Sequence, residues 1–127
     1  MRYLLDTHVI LWMLNEDKRF SEVAIRILRD PSSKKYVSIA SAWEVAIKVG
    51  TGKLRLDGGV SEFFTTIRQS ECGLLPIKTK HVKQLQTLPL LHRDPFDRIL
   101  VAAAVTENMH LITADTNVRL YDVHCLW

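Results

Sequence analysis

A chain of 127 residues with 47% hydrophobic and 24% charged side chains has the size and balance of one domain, residues 1–127, with a single core, which excludes a disordered chain or a coiled coil. Its 17 basic and 14 acidic residues give a net charge of +3. No apolar run approaches the roughly 20 residues that span a bilayer, and the N-terminus lacks a signal-like pattern, so a cytoplasmic protein with no membrane partner is expected.

Arg2-Tyr3-Leu4-Leu5 reads as a strand buried on both faces that stops abruptly on Asp6 and Thr7. His8 to Leu14 is almost wholly apolar and too long for a comfortable strand, which predicts a helix covered on all sides. Ser21 caps a second helix whose stripe is Val23, Ala24, Ile27 and Leu28, broken by Asp30-Pro31. A polar loop with Lys34 and Lys35 leads to a second strand, Tyr36-Val37-Ser38-Ile39. Ser41 and Glu44 then fit a Ser-x-x-Glu capping box, which starts the third helix at Ser41 and runs it to Gly50. Strand then helix, twice in succession, is the rhythm of a parallel sheet.

Thr51 to Gly59 is a glycine-punctuated connection, followed by a helix with Val60, Phe63, Phe64 and Ile67 on one face. Cys72 to Ile77 is a third strand, which Pro76 assigns to an edge, and Lys80 to Leu88 is a helix closed by Pro89. Asp94 before Pro95 is an N-cap, with Asp97 in the first turn of a helix that runs to Asn108. Leu111-Ile112-Thr113 makes a fourth strand; Asp115, a helical turn at Val118 to Leu120 and a last strand at Val123 to Leu126 follow. There is no internal repeat, linker or low-complexity tract. Cys72 and Cys125 are far apart and outside any Cys-x-x-Cys spacing, so both read as ordinary buried thiols.

Ligand sites of open parallel sheets lie beyond the carboxyl ends of the strands. Asp6 and Asp115 follow strands directly, and Glu44 and Asp97 sit at the starts of helices leaving the same rim. Carboxylates converging there repel one another unless cations intervene, and Mg2+ or Mn2+ suits an all-oxygen set with no His or Cys cluster. Such ions activate water toward a phosphodiester, the chemistry of a nuclease. The hydroxyls of Thr7 and Thr113 are placed to orient the carboxylates or a bound water. Removing the five negative charges of Asp6, Glu44, Asp94, Asp97 and Asp115 from a net +3 leaves +8 on the remainder, a shell suited to a polyanion. Lys34, Lys35, Lys48, Lys53, Arg93 and Arg98 are candidates for phosphate contacts, and His92 stands beside Arg93.

Each acid also has a capping explanation. Capping alone accounts for Asp94, and capping or ligation accounts equally for Glu44 and Asp97; Asp115 suits a turn, whereas Asp6 must be capped, paired or metal-bound. The five histidines form no metal-binding pair on a helix. A Walker loop and a Gly-x-Ser-x-Gly elbow are absent, and His8 stands where a phosphatase of the haloacid-dehalogenase kind needs a second Asp.

The four blocks Leu4-Leu5-Asp6-Thr7-His8, Ser41-Ala42-Trp43-Glu44-Val45-Ala46-Ile47-Lys48, His92-Arg93-Asp94-Pro95-Phe96-Asp97-Arg98 and Leu111-Ile112-Thr113-Ala114-Asp115 resemble, in order and across nearly the whole chain, those of PIN domains, and specifically the VapC-type toxin ribonucleases of type II toxin-antitoxin modules. The resemblance implies a three-layer α/β/α sandwich around a mainly parallel sheet of four or five strands. It implies Mg2+- or Mn2+-dependent cleavage of RNA, a homodimer, and inhibition by a co-encoded antitoxin along Ile10 to Leu14 and the 21–29 helix. Asp6, Glu44, Asp97 and Asp115 fall on the family's metal-site acids, with Asp94 in a subgroup's block. A noncatalytic PIN-like RNA-binding or interaction module, and an RNA-maturation nuclease that is not a toxin, remain the alternatives.

Overall fold

Five strands, β1 (Arg2–Leu5), β2 (Lys34–Ser38), β3 (Gly73–Leu75), β4 (His110–Ile112) and β5 (Cys125–Leu126), form one sheet in the computed structural model, which describes residues 1–127. The order is β3-β2-β1-β4-β5 and every neighbouring pair is parallel. Pro76 follows β3 at one edge, as its missing N–H requires. The helices are α1 (Thr7–Leu14), α2 (Glu22–Arg29), α3 (Ile39–Gly50), α4 (Gly59–Gln69), α5 (Thr79–Thr87) and α6 (Pro95–Glu107), with a 3-10 turn at Val118–Leu120.

Alternation along the strands sets the layers. Leu5, Val37 and Ile112 point to one face and pack with Val9, Ile10, Ala24, Ile27, Val45, Phe63 and Ile67 of α1 to α4. Leu4, Leu75 and Leu111 point to the other and meet Leu100, Val101, Ala103 and Ala104 of α6 and Val118 of the turn. Leu4 and Leu5 are both fully buried, each worth about 1.5–3 kcal/mol in surface removed from water. The result is an α/β/α sandwich.

From β1 the chain moves outward to β2 and β3 by way of α1 to α4, then returns across the other face through α5 and α6 to β4, on the opposite side of β1. Connections therefore diverge where β1 and β4 lie side by side, and a crevice opens beyond their carboxyl ends. Leu5 pairs with Ile112 there, and the amide of Asp6 donates to the carbonyl of Ile112 at 3.0 Å.

Several sequence expectations change: the loop residues Lys34 and Lys35 already belong to β2, which ends at Ser38, and α1, expected to be covered on all sides, leaves His8 exposed. The third helix starts at Ile39 with Ser38 as N-cap, whose hydroxyl accepts from the Ala40 amide at 3.0 Å. Ser41 and Glu44 therefore form no capping box: Ser41 is buried in the first turn and Glu44 lies in the second. Cys72 and Cys125 are free thiols, half-buried instead of buried.

Candidate active site

Asp6 directly follows β1 and is the N-cap of α1. Its Oδ1 accepts from the His8 amide at 3.3 Å and lies 3.8 Å from His8 Nδ1, while Oδ2 accepts from the Thr113 hydroxyl at 2.6 Å. Burial pushes this carboxyl up, yet the hydrogen bonds from His8 and Thr113 outweigh it and hold Asp6 below the usual carboxylate range. The neighbouring Asp6 carboxylate raises the His8 imidazole, against its own burial.

Thr113, fully buried, continues from β4 and ties two acids together. Besides donating to Asp6, its Oγ1 accepts from the Asp115 amide at 3.0 Å. Asp115 Oδ1 in turn accepts from the Asn117 amide at 2.8 Å, which folds the chain into the 3-10 turn. Asp6 and Asp115 line one cavity. Thr7 takes a different role from the one expected. Its hydroxyl donates to Ser41 Oγ at 2.7 Å in the interior, locking α1 to α3 without touching a carboxylate.

Asp94 and Asp97 separate clearly. Asp94 caps α6, with Oδ1 accepting from the amides of Phe96 at 2.9 Å and Asp97 at 3.3 Å, and Pro95 occupies the first helical position. Asp97 is buried and pushed up to about 7, first by that burial and then by the negative charges of Asp94, Asp6 and Asp115. Opposing this, His92 Nε2 lies 3.3 Å from Asp97 Oδ2. His92 Nδ1 meets the Tyr121 hydroxyl at 2.8 Å, and that hydroxyl also accepts from Arg98 Nη1 at 3.0 Å. With Tyr121 donating to Nδ1, the imidazole carries its proton on Nε2 and donates it to Asp97. The chain Arg98, Tyr121, His92, Asp97 is thus continuous.

Glu44 is buried on α3 and pairs with Lys48 at 2.7 Å, one turn along the same helix. The Glu44 hydrogen bond raises the Lys48 ammonium, aided by the charges of Glu44, Asp94 and Asp97. Lys48 is therefore a resident countercharge to the acids. Of the other basic candidates, Lys53 and Arg93 are exposed. Arg98 is committed to Tyr121 and to the Pro89 carbonyl. Lys34 and Lys35 begin β2, at the rim opposite the acids, and Lys35 is buried with Nζ on the Leu28 carbonyl at 2.9 Å. These two are not placed to meet phosphate beside the acids.

The donor set is all carboxylate oxygen, as Mg2+ or Mn2+ prefers. As the side chains lie, no three acids, histidines or cysteines stand close enough to enclose a cation. The mutual repulsion focused on Asp97 is the feature that a cation relieves.

The sequence matches the PIN domain family over residues 3–123. The chain belongs to that family. No curated protein sequence matches it, but solved structures do. VapBC2 from Rickettsia felis, bound to a DNA fragment from its promoter, aligns with a TM-score of 0.76 at 16% identity, covering 99% of this chain and 98% of that one. VapBC-1 from nontypeable Haemophilus influenzae aligns with a TM-score of 0.63 at 20% identity, covering 99% and 97%. VapBC-5 from Mycobacterium tuberculosis, of the VapBC family of toxin-antitoxin systems, aligns with a TM-score of 0.59 at 15% identity, covering 94% and 89%. This PIN domain therefore shares the fold of those chains from end to end.

Proposed function

We propose that this PIN domain is a metal-dependent endoribonuclease and the toxin of a toxin-antitoxin pair. The observation that carries the reading is Asp97, a buried carboxyl pushed up to about 7 by burial and by the charges of Asp94, Asp6 and Asp115 at a topological switch point. A carboxylate held at such electrostatic cost is characteristic of a functional site.

Asp6, Asp97, Glu44 and Asp115 would hold Mg2+ or Mn2+, with Asp94 at the margin. A bound divalent cation supplies charge neutralisation at a phosphodiester and a more acidic water. The protein's own contribution is orientation: Thr113 fixes Asp6, His92 fixes Asp97, and the Asn117 amide fixes one oxygen of Asp115. Glu44 gives only Oε2 to Lys48, which leaves Oε1 for a cation and sets the Lys48 ammonium beside it for the phosphate of a substrate. Arg93 and Lys53, both exposed, add to the basic shell around a polyanion.

The toxin assignment is supported by end-to-end similarity to chains of VapBC complexes. An antitoxin has an open apolar groove available between α1 and α2, lined by Met13, Phe20, Ile25 and Leu28. Ile39, Trp43 and Ile47, all exposed at four-residue spacing on α3, form the stripe that a second copy would cover in a homodimer. No helix is long and apolar enough to cross a membrane, and the proposed place of action is the cytoplasm.

A second reading, a noncatalytic binding module, is favoured by the internal partners of the acids. Asp6 caps α1, Asp94 caps α6, Glu44 pairs with Lys48 and Asp115 shapes a turn. Incubating a mixed RNA pool with the purified protein in Mg2+ or Mn2+, in EDTA, and with Asp6→Asn separates the two. The nuclease cleaves in metal and loses that cleavage in both controls. Absence of cleavage in every lane, together with no calorimetric uptake of Mn2+, leaves the binding module standing.

A further inference from the structure

Three of the histidines have partners that account for them. His81 accepts from the Lys78 amide and meets Glu107, His92 lies between Tyr121 and Asp97, and His8 stands beside Asp6. His110 and His124 have no such partner, and Nδ1 of His110 is the one buried side-chain polar atom of the chain left without a hydrogen bond. A buried polar atom left unpaired is rare in a native fold and calls for a reason. The two rings meet by register. Leu111 of β4 pairs with Cys125 of β5, so His110 and His124 stand side by side one step earlier, at the amino-terminal rim of the sheet and away from the acids. Side chains in that relation leave the same face of the sheet. Tyr3, paired with His110 on β1, closes its other flank at 5.9 Å between rings. The His110 and His124 rings are 5.2 Å apart between centres and inclined at 36°, with His110 half-buried and His124 exposed.

We propose that His110 and His124 form a two-histidine site for a divalent transition-metal ion of the Zn2+ kind, which clamps the edge strand β5 to β4. Two imidazoles that hold one ion at about 2.0–2.1 Å per nitrogen and at the tetrahedral angle have ring centres about 5 Å apart, the separation these rings already have. Water completes the coordination on the side of exposed His124. Imidazole suits Zn2+, Cu2+ and Ni2+, whereas the carboxylates at the far rim suit Mg2+ and Mn2+, so the chain offers two sites of different chemistry. The clamp has something to hold. β5 is two residues long and keeps its place through the Leu111 amide on the His124 carbonyl, at 2.8 Å, and the Thr113 amide on the Leu126 carbonyl, at 3.1 Å. Thr113 also holds Asp6. An ion on the histidines therefore braces the strand beside the acids without touching them.

The experiment is calorimetric titration of Zn2+ into the full chain in excess Mg2+, which competes for the carboxylates, with Asp6→Asn protein in parallel. Native and Asp6→Asn protein are each expected to take up Zn2+ at the pair. His110→Gln and His124→Gln should each weaken that uptake about tenfold or more, the least that losing even a supporting partner of a metal ligand costs. Zn2+ should likewise raise the Tm of the native protein and not that of either histidine variant. If His110→Gln melts below the native protein in EDTA, the exposed His124→Gln decides. Native Zn2+ affinity in folded His124→Gln protein, or no uptake by the native chain, overturns the proposal and leaves the two rings as a stacked pair. Uptake that vanishes in Asp6→Asn and persists in both histidine variants overturns it too, assigning the ion to the acids. The site stands or falls on Zn2+ binding alone, whatever the RNA cleavage assay in Mg2+ returns.

Discussion

Replacing Asp97 by Asn should stabilise the metal-free protein at pH 8. The carboxyl has an ordinary value of 3.8 and stands at about 7 in the fold, so the folded state holds its proton more tightly between those values. Stability from this group is present below about pH 4 and is lost as pH rises to about 7. At 1.36 kcal/mol per pH unit the limit is about 4 kcal/mol, and relaxation of a site open to water brings the expected gain nearer to about 2 kcal/mol. For a chain of this size that is roughly 5–10 °C in Tm. Asparagine keeps the shape and an acceptor for His92 Nε2 while removing the charge that Asp94, Asp6 and Asp115 oppose.

The assay is thermal and urea unfolding of native and Asp97→Asn protein in EDTA at pH 5 and pH 8. A gain at pH 8 that shrinks to about two-fifths of its size at pH 5, roughly one unit above the carboxyl's ordinary value of 3.8, is expected. His8, raised by Asp6, contributes a slope of the same sign in both proteins, because its stabilisation is also lost as pH rises, and so it cancels in the difference. Adding Mn2+ at pH 8 should then stabilise the native protein more than the variant. A variant less stable than native at pH 8 in EDTA, or an offset independent of pH, would refute the electrostatic account and leave Asp97 as a helix-start acid.

Tyr121→Phe removes the hydroxyl that orients His92, so Mn2+ affinity by titration and the rate of RNA cleavage should both fall about tenfold, with little change in Tm. Glu107 is buried beside His81, Lys78 and Lys80, and although burial pushes it up, their hydrogen bonds hold it at about 2. Its stabilisation is complete above pH 4.5 and lost as pH falls to about 2; Glu107→Gln should cost about 2 kcal/mol at pH 7, discounted for half-exposed lysines, and flatten the acid limb of a stability curve. Ser38→Ala should cost about 1 kcal/mol by urea unfolding through loss of the α3 cap, whereas the expected role of Ser41 predicts no loss at position 38.

Much of the fold was readable because each element carries its own period and its own stop. Leu4 and Leu5 mark a strand covered on both faces, and Asp94-Pro95 fixes the start of α6 to the residue. The start of α3 was displaced by a conflict between two local signals. Ser38 and Ser41 are both competent caps, and only the pairing of Ser38 with Leu75 of β3 carries the strand as far as Ser38, where its hydroxyl then starts the helix. Lys35 looked like a surface charge because local sequence does not show that a long aliphatic stem will lie buried with its amine on Leu28. Tyr121 and His92 meet across 29 positions, and Trp12 meets Trp127 across nearly the whole chain; no spacing rule reaches that far.

The sequence posed capping and ligation as competing explanations for each acid, and the structure shows why that choice is too sharp. A carboxylate offers about four lone-pair sites. Asp94 spends one oxygen on two amides, and Asp115 spends one on Asn117, leaving the other oxygen of each without a hydrogen bond in the fold. Asp6 gives Oδ1 to His8 and Oδ2 to Thr113, yet each bond fills only one site on its oxygen. The caps hold each carboxylate in a fixed orientation at the rim, which is what any later ligand needs. Replacing a cap by Asn, which keeps the cap and removes the charge, therefore separates the two roles where Ala would confuse them.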